Sequence, residues 1–124
     1  MDATASSIAK QPAPRDSERR RFPRYRYSAP IIVRPVNSPE LLGMSLEISE
    51  CGTSLMVGGP LKIGDTVELD PIGGGRATAV IRRSLGKLYG FEFLQLSSEQ
   101  AAKIREMCKM LPPYRSKTLD LWRR

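Results

Sequence analysis

The sequence predicts an all-β domain: six short antiparallel strands in a sheet or barrel, closed by one C-terminal α-helix and preceded by a flexible basic arm. Three observations carry this. Six β-favouring runs follow one another from residue 31 onward. Turn signals separate them at the close spacing of hairpin-connected strands. A single stretch of helical periodicity comes only after the last of them.

Residues 1–18 are rich in Ala, Ser and Pro and nearly devoid of large apolar side chains, so they bury too little surface to offset the entropy of ordering and are expected to form a disordered leader. Residues 19–26 are the basic arm. The body, residues 27–96, holds strands expected at 31–36, 44–48, 53–57, 66–69, 77–81 and 89–94. Asn37-Ser38-Pro39, Cys51-Gly52, Gly58-Gly59-Pro60, Gly64-Asp65, Gly73-Gly74-Gly75 and Leu85-Gly86-Lys87 punctuate them. Within the runs, Val67 and Leu69 oppose Glu68, and Phe91 and Phe93 flank Glu92, which makes one face apolar and the other wet. Residues 97–111 read as the helix. Ser97 with Gln100 fits a capping box, Ala101, Ile104, Cys108 and Leu111 recur at helical spacing, and Pro112-Pro113 stop it. Residues 112–124 form a basic C-terminal tail in which Tyr114, Leu119, Leu121 and Trp122 stand among charges.

Composition narrows the function. The 124 residues suit one domain with tails. At 40% hydrophobic and 27% charged the chain is apolar enough to build a core. No apolar run approaches the ~18 residues of a membrane span and no secretory signal order is present, so a cytoplasmic protein is expected. There is no histidine, which removes the Ser/His/Asp and Cys/His constellations and the commonest general base; no enzyme is expected. Cys51 and Cys108 are far apart and lack the companions of a zinc or redox site, so no metal and no cofactor are expected.

The net charge of +7 is entirely terminal. Lys10, Arg15, Arg19, Arg20, Arg21, Arg24 and Arg26 outweigh Asp2, Asp16 and Glu18 in the first 26 residues. Arg115, Lys117, Arg123 and Arg124 outweigh Asp120 in the last 13, and the body between is neutral. Arginines gathered in one short arm suit the capture of a local anion better than a whole basic surface would. Guanidinium also binds phosphate as a fork and stacks flat on a base. Arg20 and Arg24 form an RxxxR pair just before the first strand, with Pro23 restricting the backbone between them.

A second element, Glu47-Ile48-Ser49-Glu50-Cys51-Gly52, ends the second expected strand. RxxxR before the first strand followed by [D/N]xSxxG in the next hairpin resembles the paired signature of PilZ domains, bacterial receptors for cyclic di-GMP. The resemblance runs from about Arg19 to Leu111, because Leu61 to Val67, Val80 to Arg83 and Tyr89 to Phe93 also fall in the family's order. It implies a six-stranded PilZ-type β-barrel with a C-terminal helix. It implies that Arg20 and Arg24 hold phosphate and guanine, that Ser49 hydrogen-bonds the ligand, and that Gly52 permits a sharp turn beneath it, through positive φ or close approach of the ligand. An arginine at Arg19 accompanies a self-intercalated ligand pair in related domains, while Arg21 and Arg26 either assist with phosphate or face water. Glu47 departs from the family's Asp or Asn: a carboxylate survives, its oxygens displaced by about an ångström.

The expectation is a cyclic di-GMP receptor or adaptor whose arm orders over the ligand and presents a changed surface to a downstream protein partner, with Arg19, Arg20, Arg21, Arg24, Glu47, Ser49 and Gly52 as the ligand-binding set. One alternative is a degenerate PilZ module that binds protein and no nucleotide. A nucleic-acid-binding barrel is disfavoured, since aromatics and basic residues do not interleave on one strand.

Overall fold

The computed structural model describes residues 22–114. Within them lie seven strands, β1 (Tyr25–Arg26), β2 (Pro30–Pro35), β3 (Leu41–Ile48), β4 (Gly52–Val57), β5 (Thr66–Ile72), β6 (Gly75–Leu85) and β7 (Leu88–Gln95), then one helix, α1 (Ser98–Lys109). Antiparallel pairing runs β3-β2-β5-β6-β7-β4, and β4 pairs back onto β3, so six strands close a barrel with no free edge. All six expected runs are strands, several of them longer than expected. The leader, and the amphipathic reading of the tail beyond Tyr114, fall outside the described residues.

The core follows from alternation. Ile31, Val33, Ile48, Leu55, Leu69, Ile81 and Phe91 point inward from six strands and are almost wholly buried. Turn chemistry sets the hairpins: Gly73 and Gly74 both take positive φ, as the tight β5–β6 connection needs. Helix α1 covers one end of the barrel. Ser97 accepts a hydrogen bond from the Gln100 amide at 3.0 Å while the Gln100 side chain accepts from the Ser97 amide at 3.3 Å, completing the capping box. Gln100 also donates to the carbonyls of Ile72 and Arg76, and Ile104 and Cys108 are buried against the barrel.

Two features were not expected. The end of the arm is itself a strand: β1 pairs with β3 at Tyr25 to Ile48 and Arg26 to Glu47. It continues the line of β2 along the same edge, with Tyr27 and Ala29 bonding β3 between the two. The chain after α1 then returns to this strand. Arg26 N donates to Pro112 O at 2.8 Å and Tyr114 N to Arg24 O at 3.0 Å, so the start of the C-terminal tail is tied to the arm.

Candidate functional site

A shallow groove on the outer barrel wall gathers the second sequence motif. Its lining includes Arg24, Glu47, Ser49, Gly52, Ser54, Arg82, Arg83, Gly90 and Glu92. It encloses only about 40 Å³, too little to contain a molecule of nucleotide size.

Glu47 reaches this face through a β-bulge. The β3–β4 register shifts between Ser45, opposite Leu55, and Glu47, opposite Ser54. Leu46 is the extra residue, and the shift sends Ser45 inward and Glu47 to the groove although two residues on a regular strand share a face. The carboxylate is 3% exposed. Ser54 Oγ donates to Oε2 at 2.5 Å, and Arg24 Nε lies 3.4 Å from Oε1. Thr53 Oγ1 donates to the Glu47 carbonyl at 2.6 Å, which fixes the bulge from inside the barrel. The added methylene of Glu47 is thus spent folding the carboxylate back onto β4.

Ser49 and Gly52 close the β3–β4 turn. Ser49 N donates to Gly52 O at 2.8 Å, and Ser49 Oγ accepts from Cys51 N at 3.2 Å. Gly52 does not have positive φ, so the turn itself does not require glycine there. The requirement comes from the neighbouring strand: a Cβ on Gly52 would stand 2.2 Å from the carbonyl oxygen of Phe91. Of the expected ligand-binding set, Arg24, Glu47, Ser49 and Gly52 therefore share one groove. Arg19, Arg20 and Arg21 lie outside the described residues.

The far side of the groove was not anticipated. Glu92, expected on a wet face, does point outward, but it is 1% exposed because Arg82 lies over it, Nε to Oε1 at 2.6 Å. A lone acid in the apolar run 88–94, one strand after the Arg82-Arg83 pair, was the available signal, and pairing across β6–β7 was needed to connect them. No group of three or more potential metal ligands occurs among the described residues. No helix among them is long and apolar enough to cross a membrane.

Comparison with known proteins agrees with this geometry. The PilZ domain family matches residues 18–109. Among solved structures the chain is similar to the Bacillus subtilis inhibitor of motility MotI/DgrA, at 16% identity and TM-score 0.62, covering 78% of this chain and 55% of that one. It therefore spans about half of that protein. It is also similar to the PilZ domain of CeSA from a cellulose-synthesizing bacterium, at 17% identity and TM-score 0.57, covering 70% of this chain and 95% of that one. At these identities the two structures speak for the fold. A comparison with curated proteins finds no match.

Proposed function

The chain belongs to the PilZ domain family, and from that premise we propose that it is a receptor for cyclic di-GMP that acts as an adaptor toward a protein partner. The observation that supports this most is the meeting of Arg24 with Glu47, Ser49 and Gly52 in one groove, although the arm and the hairpin are separate in sequence. A dianionic ligand gains there the fork donors of arginine and a side-chain hydroxyl. The groove is too shallow to enclose a nucleotide, so the arginines preceding Arg24 complete the enclosure by ordering over the ligand.

The output follows from the same connection. Arg24 and Arg26 are hydrogen-bonded to Tyr114 and Pro112, so a change in the arm reaches the C-terminal segment through main-chain bonds. Binding, with no bond made or broken, is the whole chemistry of this reading.

One observation favours the second reading, a protein-binding module without nucleotide: Glu47 already supplies Arg24 with an anion and is itself anchored by Ser54. Isothermal titration calorimetry separates the two. Cyclic di-GMP titrated into the chain is expected to give saturable binding that GTP does not reproduce and that Arg24→Ala weakens at least about tenfold, the loss of one charge-assisted interaction. Absence of heat at millimolar ligand selects the second reading.

A further inference from the structure

We propose that Arg82 and Arg83 of β6 form a second wall of this groove and grip the half of the dinucleotide that the Arg24 side does not reach, with Glu92 as the residue that positions Arg82. The proposal rests on the cyclic di-GMP reading and adds residues that neither sequence motif contains.

The first support is a bulge. Adjacent residues of a regular strand point to opposite faces, yet Arg82 and Arg83 both line the groove. In the β6–β7 register Ile81 faces Phe91 and Arg83 faces Gly90, so β6 has one residue more than its partner and Arg82 is the extra one. The shift turns what alternation would separate into a pair of guanidiniums on one face. Both walls of the groove are thus built the same way, by the bulge at Leu46 that aims Glu47 and the bulge at Arg82 that aims the arginines.

The second support is the row these bulges create. Glu47 pairs with Ser54, Ser54 with Gly90 and Gly90 with Arg83, on the successive strands β3, β4, β7 and β6. Gly90 places no side chain between Ser54 and Arg83, and Gly52, opposite Glu92, leaves the next row open as well. Three strand spacings, roughly 14 Å along the sheet, separate the backbone of Glu47 from that of Arg83. Arg24 is held at Glu47 from the β3 side and Arg82 at Glu92 from the β6 side, so guanidiniums face the groove from both of its sides. A flat ligand with two phosphates and two guanines, laid over the glycines, offers a partner to each. An arginine fork matches either a phosphate or the O6/N7 edge of guanine.

The third support is the Arg82–Glu92 contact itself. At 2.6 Å to a carboxylate that is 1% exposed, it fixes the stem of a side chain that is still 37% exposed. Arg82 lines the groove, and this pairing reduces the rotamer freedom that ligand binding would otherwise remove.

The test is calorimetry with cyclic di-GMP on wild type, Arg83→Ala, Arg82→Ala and Glu92→Gln, with thermal melts of each. Arg83→Ala and Arg82→Ala are expected to remain folded and to bind about tenfold or more weakly, Arg82→Ala also melting lower because it takes the partner from the buried Glu92 carboxylate. Glu92→Gln is expected to lose affinity in the wild-type background and none further in Arg82→Ala, as a residue acting through Arg82 must. Wild-type binding that Arg83→Ala and Arg82→Ala leave within twofold overturns the second wall while the receptor reading stands. A Glu92→Gln variant that melts lower yet binds like wild type assigns the pair to barrel stability and overturns the positioning role. No binding by wild type removes the receptor reading and this proposal together.

Discussion

Arg24 Nε lies 3.4 Å from Glu47 Oε1, and the other oxygen of that carboxylate accepts a 2.5 Å hydrogen bond from Ser54. The groove therefore carries an anion of its own on the arginine that the family motif offers to phosphate. On the proposed reading a phosphate competes with this carboxylate for Arg24, and the length of the Glu47 side chain is what allows the contact with Ser54.

Shortening that side chain is expected to release the arginine. In Glu47→Asp the carboxylate no longer spans from β3 to both Ser54 and Arg24. Affinity for cyclic di-GMP, read by calorimetry, should rise by about tenfold, the worth of one charge-assisted hydrogen bond. A drop in affinity would show that the Glu47 geometry serves the ligand.

Gly52→Ala should lower stability although no turn dihedral forbids alanine. The new Cβ would meet the Phe91 carbonyl at 2.2 Å, and that oxygen belongs to backbone, so β4 and β7 have to part. A cost of about 1–3 kcal/mol is expected, read as a lower urea midpoint with unchanged slope.

The helix should rank three substitutions. Ile104 is fully buried, and Ile104→Ala should cost about 2–5 kcal/mol. Gln100→Ala removes half of the capping box and two donors to the carbonyls of Ile72 and Arg76, at about 1–3 kcal/mol. Lys109→Ala breaks only an exposed pair with Glu106 and should change stability by less than about 0.5 kcal/mol. Chemical denaturation gives the order directly.

Cys108 should make stability fall in alkali. Burial, and secondarily the charge of Glu50, push its thiol up from 9.0 to about 11. The folded state keeps the proton where the unfolded chain releases it. The contribution is thus complete below about pH 9 and is lost as pH rises through about 11. Cys108→Ala should flatten that part of the profile. The same burial should leave Cys108 slower than the half-exposed Cys51 toward a thiol reagent in the native protein.

Local patterns made much of this fold legible. Alternation at Val67 to Leu69 and Phe91 to Phe93 marked strands, and Ser97 with Gln100 marked the helix start, because each is decided by neighbours in sequence. The hairpin motif brought Glu47, Ser49 and Gly52 to notice, and the groove holds all three with Arg24. What stayed hidden depends on partners far along the chain. The bulges at Leu46 and Arg82 exist only relative to β4 and β7, so neither the face of Glu47 nor the convergence of Arg82 with Arg83 could be read from β3 or β6 alone. Glu92 looked wet because its cover, Arg82, comes from the adjacent strand. Tyr25 and Arg26 were assigned to the arm, where a two-residue strand has no periodicity to show and is held by Ile48, Glu47 and the segment after the helix.

The most direct measurement is an amide NMR titration of the ¹⁵N-labelled chain with cyclic di-GMP. The account predicts saturable shifts concentrated at Arg24, Glu47 to Ser54, Arg82, Arg83 and Gly90 to Glu92, extending through the paired main chain to Tyr114. An unchanged spectrum at millimolar ligand, or shifts confined to the separate cleft lined by Pro35, Leu61 and Thr66, would contradict it.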